Sequence, residues 1–223
     1  MKLYMHPVSM TSRPVRLFIA ENGIACEEQL VDLMVGEHHQ PPFVAVNPNK
    51  LVPVLEDGDL RLTESSAILK YLADKIGSPA YPKGLAERAR VNERMDWFNT
   101  NFYRDYGYGL SYPQIFPHHK RPNDELQRGT LAWGLERSQQ WLGLLDQHWI
   151  GGNAYVCGNQ ITIADYFGAC LVTLGEILRF DFARYPNVAR WLGRMKELKS
   201  WAPINEHLYG FAAAVKDQPF ITI

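Results

Sequence analysis

The sequence has few cysteines and no clustered positive charge. Its 223 residues include three cysteines, Cys26, Cys157 and Cys170, and their spacings match neither a CxxC pair nor a metal-binding pattern. We therefore expect reduced, partly buried thiols in a cytosolic protein. The formal net charge is −1, and Lys and Arg form no run. This argues against a nucleic-acid partner, because binding phosphates needs clustered cations.

Long apolar segments and metal-ligand patterns are also missing. No stretch approaches the ~20 apolar residues that a membrane-spanning helix needs. The N-terminus lacks the hydrophobic region of a secretory signal, because turns and charges arrive within the first 14 residues. The adjacent pairs His38-His39 and His118-His119 lack the i, i+4 spacing of a typical zinc site. We predict a cytoplasmic protein with no metal and no membrane partner.

What the sequence does contain is the pattern of an ordinary globular protein, with 46% hydrophobic and 21% charged residues. Residues 2–5 and 26–32 read as strands, and residues 14–22 between them read as a helix that ends at Gly23. Two strands and a helix in about 30 residues predict a βαβ unit with a parallel strand pair. Ser12 is the predicted N-cap of this helix.

The next segment predicts a hairpin and a helix. Residues 51–55 and 60–63 are apolar runs, and the Asp57-Gly58 turn between them favours a β-hairpin. Pro53 lies inside the first run, so that strand is either an edge strand or turned away from pairing to meet another group. A helix follows over residues 65–75. Residues 77–84, GSPAYPKG, are the clearest linker in the chain.

After the linker we find helical patterns and no convincing strand. Apolar stripes indicate helices around residues 91–102, 131–149, 167–178 and 188–195. Thr162 and Asp165 form a variant capping box at the start of the third of these helices. The fold class predicted from these patterns is an α/β domain of order βαβαββα followed by an all-α domain.

The loop between the first strand and the first helix is the candidate anion site. A hydroxyl near a helix N-terminus can donate a hydrogen bond to an anion, and Ser9 is the leading candidate. From the residues alone, Ser9 could equally be a turn or capping serine. Ser12 and Thr11 are the alternatives in the same loop.

This combination of units resembles the cytosolic glutathione transferases over nearly the whole chain. The most specific stretches are HPVSMTSRPVRL, the run from GEHHQPPF to LTESSAI, and GNQITIADY. The first two are most similar to the phi class, with overlap to the theta and delta classes. The resemblance implies a thioredoxin-like domain over residues 1–80, an all-helical domain over residues 87–223, and a homodimer.

The resemblance also implies a reaction and its site residues. Glutathione would be the co-substrate, and its thiolate, stabilised by Ser9, would attack a hydrophobic electrophile. The residues expected to bind glutathione are His38 and His39 at the glycyl carboxylate, Leu51, Val52 and Pro53 at the cysteinyl backbone, and Glu64 and Ser65 at the γ-glutamyl group. The family commonly has Lys at the second histidine position, which leaves that contact open. An aromatic cluster could line the electrophile pocket, with core or dimer-interface packing as the alternative; its members are Tyr103, Tyr106, Tyr108, Tyr112 and Phe116. Of these, Tyr106, Tyr112 and Phe116 are the chosen candidates.

Other functions of the same fold stay open. A glutathione-dependent isomerase usually carries a Ser-Ser-Cys loop, whereas this chain has Ser9-Met10-Thr11. A thiol–disulfide reductase needs a cysteine in that loop, and none is present. A peroxidase activity and a non-catalytic, ligand-binding relative are the remaining alternatives.

Overall fold

A computed structural model describes residues 1–223, and its first part is a four-stranded sheet with helices on both faces. The strands are β1 (Lys2–Met5), β2 (Glu27–Leu30), β3 (Val54–Asp57) and β4 (Leu60–Leu62), in the spatial order β2-β1-β3-β4. β1 pairs with β2 in parallel and with β3 antiparallel. The helices are α1 (Ser12–Glu21), the short α2 (Pro41–Val44) and α3 (Ser65–Lys75). The predicted βαβαββα order is confirmed.

The second part is helical throughout. Its α-helices are α4 (Leu85–Trp97), α5 (Tyr112–Ile115), α6 (Asp124–Leu144), α7 (Ile163–Val172), α8 (Leu174–Ile177), α9 (Pro186–Lys196) and α10 (Trp201–Ala214). Between α4 and α5 the chain stays helical through wide π-type turns at Phe98–Phe102 and Arg104–Ser111. No helix combines the length and apolar character that crossing a membrane requires. The predicted all-α second part is confirmed, whereas the domain limits at residues 80 and 87 stay predictions.

Successive side chains of β1 alternate between the two faces of the sheet, and each face packs against a different cluster of apolar residues. Leu3 and Met5 are buried on the face that packs in the main core, while Tyr4 lies on the opposite face with its ring 6.2 Å from Phe43. The main core contains 47 buried residues from both parts of the chain, so the sheet and the helical part share one interior. A small second cluster, which includes Val52, fills the other face.

The start of α7 has the predicted capping arrangement. The Asp165 carboxylate accepts hydrogen bonds from the Thr162 backbone N–H at 2.8 Å and the Thr162 hydroxyl at 2.9 Å. The Trp191 indole N–H and the Val156 N–H donate to its other oxygen. Burial raises the pKa of Asp165 to about 6. Asp165 is therefore a structural carboxylate of the core.

Arg13 of α1 crosses from the first part of the fold into the second. Its guanidinium is fully buried and donates to Asn205 Oδ1 at 2.7 Å, Thr173 Oγ1 at 2.9 Å and the Cys170 carbonyl at 3.2 Å. No carboxylate pairs with it, and burial lowers its pKa. Because arginine stays charged in proteins, these neutral acceptors hold a buried cation.

Candidate functional site

A cavity of about 330 Å³ opens between the two parts of the chain. One wall, which we call the N-terminal wall, comes from the sheet part; its lining residues are Thr11, Asn47, Leu51, Val52, Pro53, Thr63, Glu64 and Ser65. The opposite, C-terminal wall comes from the region that follows α4; its lining residues are Asn99, Tyr103, Arg104 and Tyr108. Five of the residues predicted from the sequence, residues 51–53, 64 and 65, therefore meet in one cavity.

The segment before β3 presents backbone groups to this cavity. The Val52-Pro53 peptide bond is cis. The Asn47 side-chain amide donates to the Leu51 carbonyl at 2.7 Å and holds this segment in place. The Val52 carbonyl accepts a hydrogen bond from the Thr11 hydroxyl at 3.0 Å, and the Val52 N–H donates to no protein group. The cavity thus offers a free N–H and a carbonyl with a spare lone pair, which an extended peptide can pair with.

The N-terminus of α3 forms the next part of the N-terminal wall. Ser65, the first residue of α3, is buried, and the first backbone N–H with an intrahelical acceptor is that of Ile68. The preceding N–H groups are free to meet an anion. Glu64 has a φ of 63°, a conformation that costs a non-glycine residue about 1–3 kcal/mol. Its carboxylate makes no ion pair and no hydrogen bond within the protein.

Ser9 does not line the cavity, and its side chain contacts Thr11 instead. Its hydroxyl oxygen is 3.2 Å from the Thr11 hydroxyl and accepts the Ser12 N–H at 3.2 Å. Thr11 lines the cavity, whereas Ser9 is partly buried beside it. The prediction that Ser12 caps α1 was wrong: the helix begins at Ser12, and its hydroxyl is buried without a hydrogen-bond partner. The capping contact at this helix N-terminus comes from Ser9 instead.

The direction of these hydrogen bonds follows from counting protons. A carbonyl can only accept, so the single Thr11 hydroxyl proton points to the Val52 carbonyl. The Ser9 hydroxyl must then be the donor in its contact with Thr11. In the free protein, Ser9, Thr11 and Val52 form one directed chain that starts at the Ser12 N–H. The Ser9 hydroxyl therefore already donates its one proton to Thr11, and an anion would have to compete for that hydrogen bond.

The two histidines predicted for the glycyl carboxylate lie outside the cavity. His38 and His39 form a short turn, with ring centroids 3.9 Å apart. The Nδ1 atom of His38 is buried without a partner, and burial lowers the pKa of His38, with His39 and His118 adding to the effect. The ring of His38 is therefore mainly neutral at pH 7. Their contact with a carboxylate stays a prediction.

The predicted aromatic residues of the electrophile pocket are placed differently from one another. Tyr106 is fully buried, and its hydroxyl donates to the Val172 carbonyl at 2.8 Å, so it is a core residue. Tyr112 is hydrogen-bonded through its hydroxyl to Tyr103, and Phe116 stacks on Phe211 at 6.2 Å. Neither of these two lines the cavity. The aromatic side chains on the cavity wall are Tyr103 and Tyr108.

Burial raises the pKa of both cavity tyrosines, Tyr103 strongly, so their hydroxyls stay protonated at neutral pH. The charge of Glu64 adds to the rise for Tyr108, which shows that the two walls lie within electrostatic range of each other. The sequence named Tyr103 and Tyr108 only as members of an aromatic cluster. It gave no signal for Asn99 or Arg104.

The cavity and the fold are those of a known family. The profile of the glutathione S-transferase N-terminal domain matches residues 1–74, and the profile of its C-terminal domain matches residues 135–199. The human glutathione S-transferase theta-1 is 34% identical over 217 residues, which cover 94% of this chain and 85% of the relative.

Solved structures agree with these matches. A human theta-2 enzyme in complex with glutathione superimposes with a TM-score of 0.84 at 30% identity, covering 100% of this chain and 93% of that one. A delta-class transferase of Nilaparvata lugens has a TM-score of 0.80 at 31% identity, with coverage of 96% and 98%. The chain belongs to the cytosolic glutathione S-transferase family. Within it, the chain is a glutathione S-transferase related to the theta and delta classes.

Proposed function

We propose that this transferase conjugates the glutathione thiolate to hydrophobic electrophiles, as a cytoplasmic homodimer, with Ser9 stabilising the thiolate. One observation carries the proposal. The cavity brings a cis-proline segment with a free Val52 N–H and an α3 N-terminus with an unpaired Glu64 into one space. A γ-glutamyl peptide presents the complementary groups to both.

Glutathione would lie along the N-terminal wall. Its cysteinyl N–H and C=O would pair with Val52 as an added strand does, and Leu51 and Pro53 would frame them. Its γ-glutamyl carboxylate would meet Ser65 and the free N–H groups of α3, and its ammonium would face Glu64. His38 and His39 remain our candidates for the glycyl carboxylate at the far end.

Stabilising the thiolate of glutathione over its thiol requires only a modest free energy. A free thiol has a pKa near ~8.5, and lowering it by about 2 units takes about 2.7 kcal/mol. One charge-assisted hydrogen bond and the α1 N-terminus supply energy of this order. For Ser9 to donate that bond, its hydroxyl would turn from Thr11 to the sulfur. Thr11 would keep its bond to Val52, so the loop would stay attached to the cis-proline segment.

The electrophile would lie against the C-terminal wall. Tyr103 and Tyr108 present ring surface and protonated hydroxyls there, and Tyr112 and Phe116 support them from behind. Tyr106 would act only through packing. An apolar acceptor with a polar leaving group or substituent fits such a wall.

The test is to measure the pKa of bound glutathione by ultraviolet titration of the thiolate, in wild type, Ser9→Ala and Thr11→Val. We expect a pKa about 2 units below that of free glutathione in wild type. Ser9→Ala should lose most of this shift and keep only the smaller part that the α1 N-terminus supplies. Thr11→Val should keep most of the shift, because Ser9 retains its proton.

The control is retention of each variant on immobilised glutathione, which separates loss of binding from loss of thiolate stabilisation. A normal thiol pKa in bound wild type would end the proposed mechanism. Loss of the shift in Thr11→Val but not in Ser9→Ala would assign the sulfur contact to Thr11, which lies on the cavity wall.

The alternative functions predict other results in the same assay. A peroxidase or an isomerase would bind glutathione and lower its pKa, but would show higher kcat/KM with a hydroperoxide or a cis-enone than with any aryl or alkyl halide. A non-catalytic relative would bind glutathione with no shift of the thiol pKa. Sedimentation velocity tests the homodimer, for which a single monomer species would be the contrary result.

A further inference from the structure

The C-terminal wall carries one cationic side chain, Arg104, which the sequence did not single out. Arg104 lines the cavity that also contains Glu64 and Ser65, and 59% of its side chain is exposed. It is the only Lys or Arg among the residues that line this cavity. This guanidinium is therefore the one cationic side chain that an anionic group in the cavity can meet.

Arg104 is held in place by a buried carboxylate. Its Nε and Nη2 atoms donate to the two oxygens of Asp105 at 2.7 and 3.1 Å, in the paired geometry that arginine and carboxylate favour. Asp105 is fully buried and also accepts the Trp141 indole N–H at 2.8 Å and the Arg137 Nε–H at 3.4 Å. Trp141 and Arg137 of α6 thus hold the Asp105 carboxylate in place, and this carboxylate orients the Arg104 side chain.

This arrangement leaves both charge and donors unused. Asp105 carries one negative charge and faces two guanidinium groups, those of Arg104 and Arg137, so the cluster has a net charge of +1. The Nη1 group of Arg104 has no hydrogen-bond partner in the protein. Across the cavity, Glu64 is the unpaired negative charge.

The unpaired Glu64 and the excess positive charge of the Arg104 cluster together match a zwitterion. The γ-glutamyl end of glutathione carries an ammonium and a carboxylate on the same carbon atom, so it needs an anion and a cation close together. We propose that Arg104 binds the γ-glutamyl α-carboxylate, so that glutathione is held by both walls of the cavity. The inference rests on the proposed function, because it takes glutathione as the ligand, and it adds a binding residue from the helical part.

The proposal gives the helical part of the chain a role in recognising the tripeptide. Ser65 and the α3 N-terminus would meet the carboxylate from one side, and Arg104 would meet it from the other. Binding would then draw the two walls together, because one carboxylate bridges groups that the protein itself does not connect.

The test measures the Kd of the full-length protein for glutathione and for two analogues by calorimetry. The first analogue, 4-aminobutyryl-cysteinylglycine, lacks the α-carboxylate; the second, glutaryl-cysteinylglycine, lacks the ammonium. Arg104→Gln should raise the Kd for glutathione about tenfold, which equals about 1.4 kcal/mol. It should raise the Kd for the glutaryl analogue by a similar factor. For the 4-aminobutyryl analogue, wild type and Arg104→Gln should agree within about twofold, since the partner of Arg104 is missing.

Arg137→Gln is the matched control, because Arg137 pairs with the same Asp105 but does not line the cavity. It should raise the Kd for glutathione by less than Arg104→Gln does, because it removes one charge from the cluster but leaves the Arg104 donors at the cavity. Thermal unfolding of both variants reports any general damage. Arg104→Lys should recover part of the affinity, as lysine keeps the charge without the paired geometry.

Three results would overturn the inference. They are an unchanged Kd for glutathione in Arg104→Gln, an equal loss for all three ligands, or a loss confined to the KM of an anionic electrophile. Failure of the proposed function is distinguishable from these, because it would appear as an unshifted pKa of the bound thiol in wild type. A wild type that binds none of the three ligands would exclude glutathione as the ligand.

Discussion

The two walls of the cavity are built on different principles. The N-terminal wall offers mostly backbone and short polar groups, such as the Val52 N–H and the hydroxyls of Thr11 and Ser65, held by a cis peptide and a helix start. The C-terminal wall offers long side chains, such as Tyr103, Arg104 and Tyr108, on a helix with wide turns. The first wall suits a constant ligand, because its groups have little freedom to move. The second wall can change its chemistry by single substitutions without altering the backbone.

The largest effect should come from breaking the connection between the two parts. Arg13→Lys removes the guanidinium that donates to Asn205, Thr173 and the Cys170 carbonyl. A lysine ammonium group cannot donate to these three acceptors in the same planar geometry. We expect a loss of about 3 kcal/mol or more in the free energy of unfolding, because buried acceptors lose a charged partner. Urea unfolding followed by tryptophan fluorescence measures it.

Arg16→Lys is the control for this change. Arg16 lies on the same helix and pairs with Glu28, and the two side chains are 11% and 32% exposed. Lysine keeps the charge for this one ion pair, so Arg16→Lys should cost less than Arg13→Lys. Equal losses in the two variants would mean that the connection through Arg13 has no special importance.

The next-largest effect should show which substrate the N-terminal wall binds. Ser65→Ala removes a buried hydroxyl at the α3 N-terminus and should raise the KM for glutathione several-fold, up to about tenfold, because a hydrogen bond to a charged group is lost. The KM for the electrophile should stay within about twofold. Steady-state kinetics with each substrate varied in turn gives both values. Ser66→Ala, on the adjacent residue outside the cavity lining, is the matched control.

The smallest effect is expected on the other wall. Tyr108→Phe keeps the ring but removes a hydroxyl from a partly exposed position, so the KM for the electrophile should change about twofold to fivefold. The KM for glutathione should not change. If Tyr108→Phe affected glutathione as strongly as Ser65→Ala does, the division of tasks between the walls would be wrong.

The sequence predicted the N-terminal wall well because its features are local. The helix start at Ser65 and the hairpin are each set by a few neighbouring residues. The exception is the Ser9 loop. There, the sequence favoured Ser12 as the cap, and only the packed backbone decides that the Ser9 oxygen meets the Ser12 N–H.

The C-terminal wall could not be predicted in the same way. Ordinary helical spacing correctly predicted a buried stripe through Val91, Met95, Phe98 and Phe102. Beyond Phe98 the hydrogen bonds span five residues, so each turn contains more residues than the 3.6 that the spacing argument assumes. In this region Tyr106 lies in the core, while Tyr103 and Arg104 line the cavity. Turn type in this region depends on packing against α6, which no short sequence pattern records.

The buried Arg13 has a practical consequence for protein engineering. The loop that carries Ser9 lies four residues from a cation whose acceptors belong to α10 and to the end of α7. A chimaera that combined residues 1–80 of this chain with the helical part of a relative would need Asn205 and Thr173, or equivalent acceptors, in the recipient. Residues 1–80 expressed alone would leave a bare guanidinium on their surface where the helical part had been. Recombination between transferases should therefore exchange these three side chains as one unit.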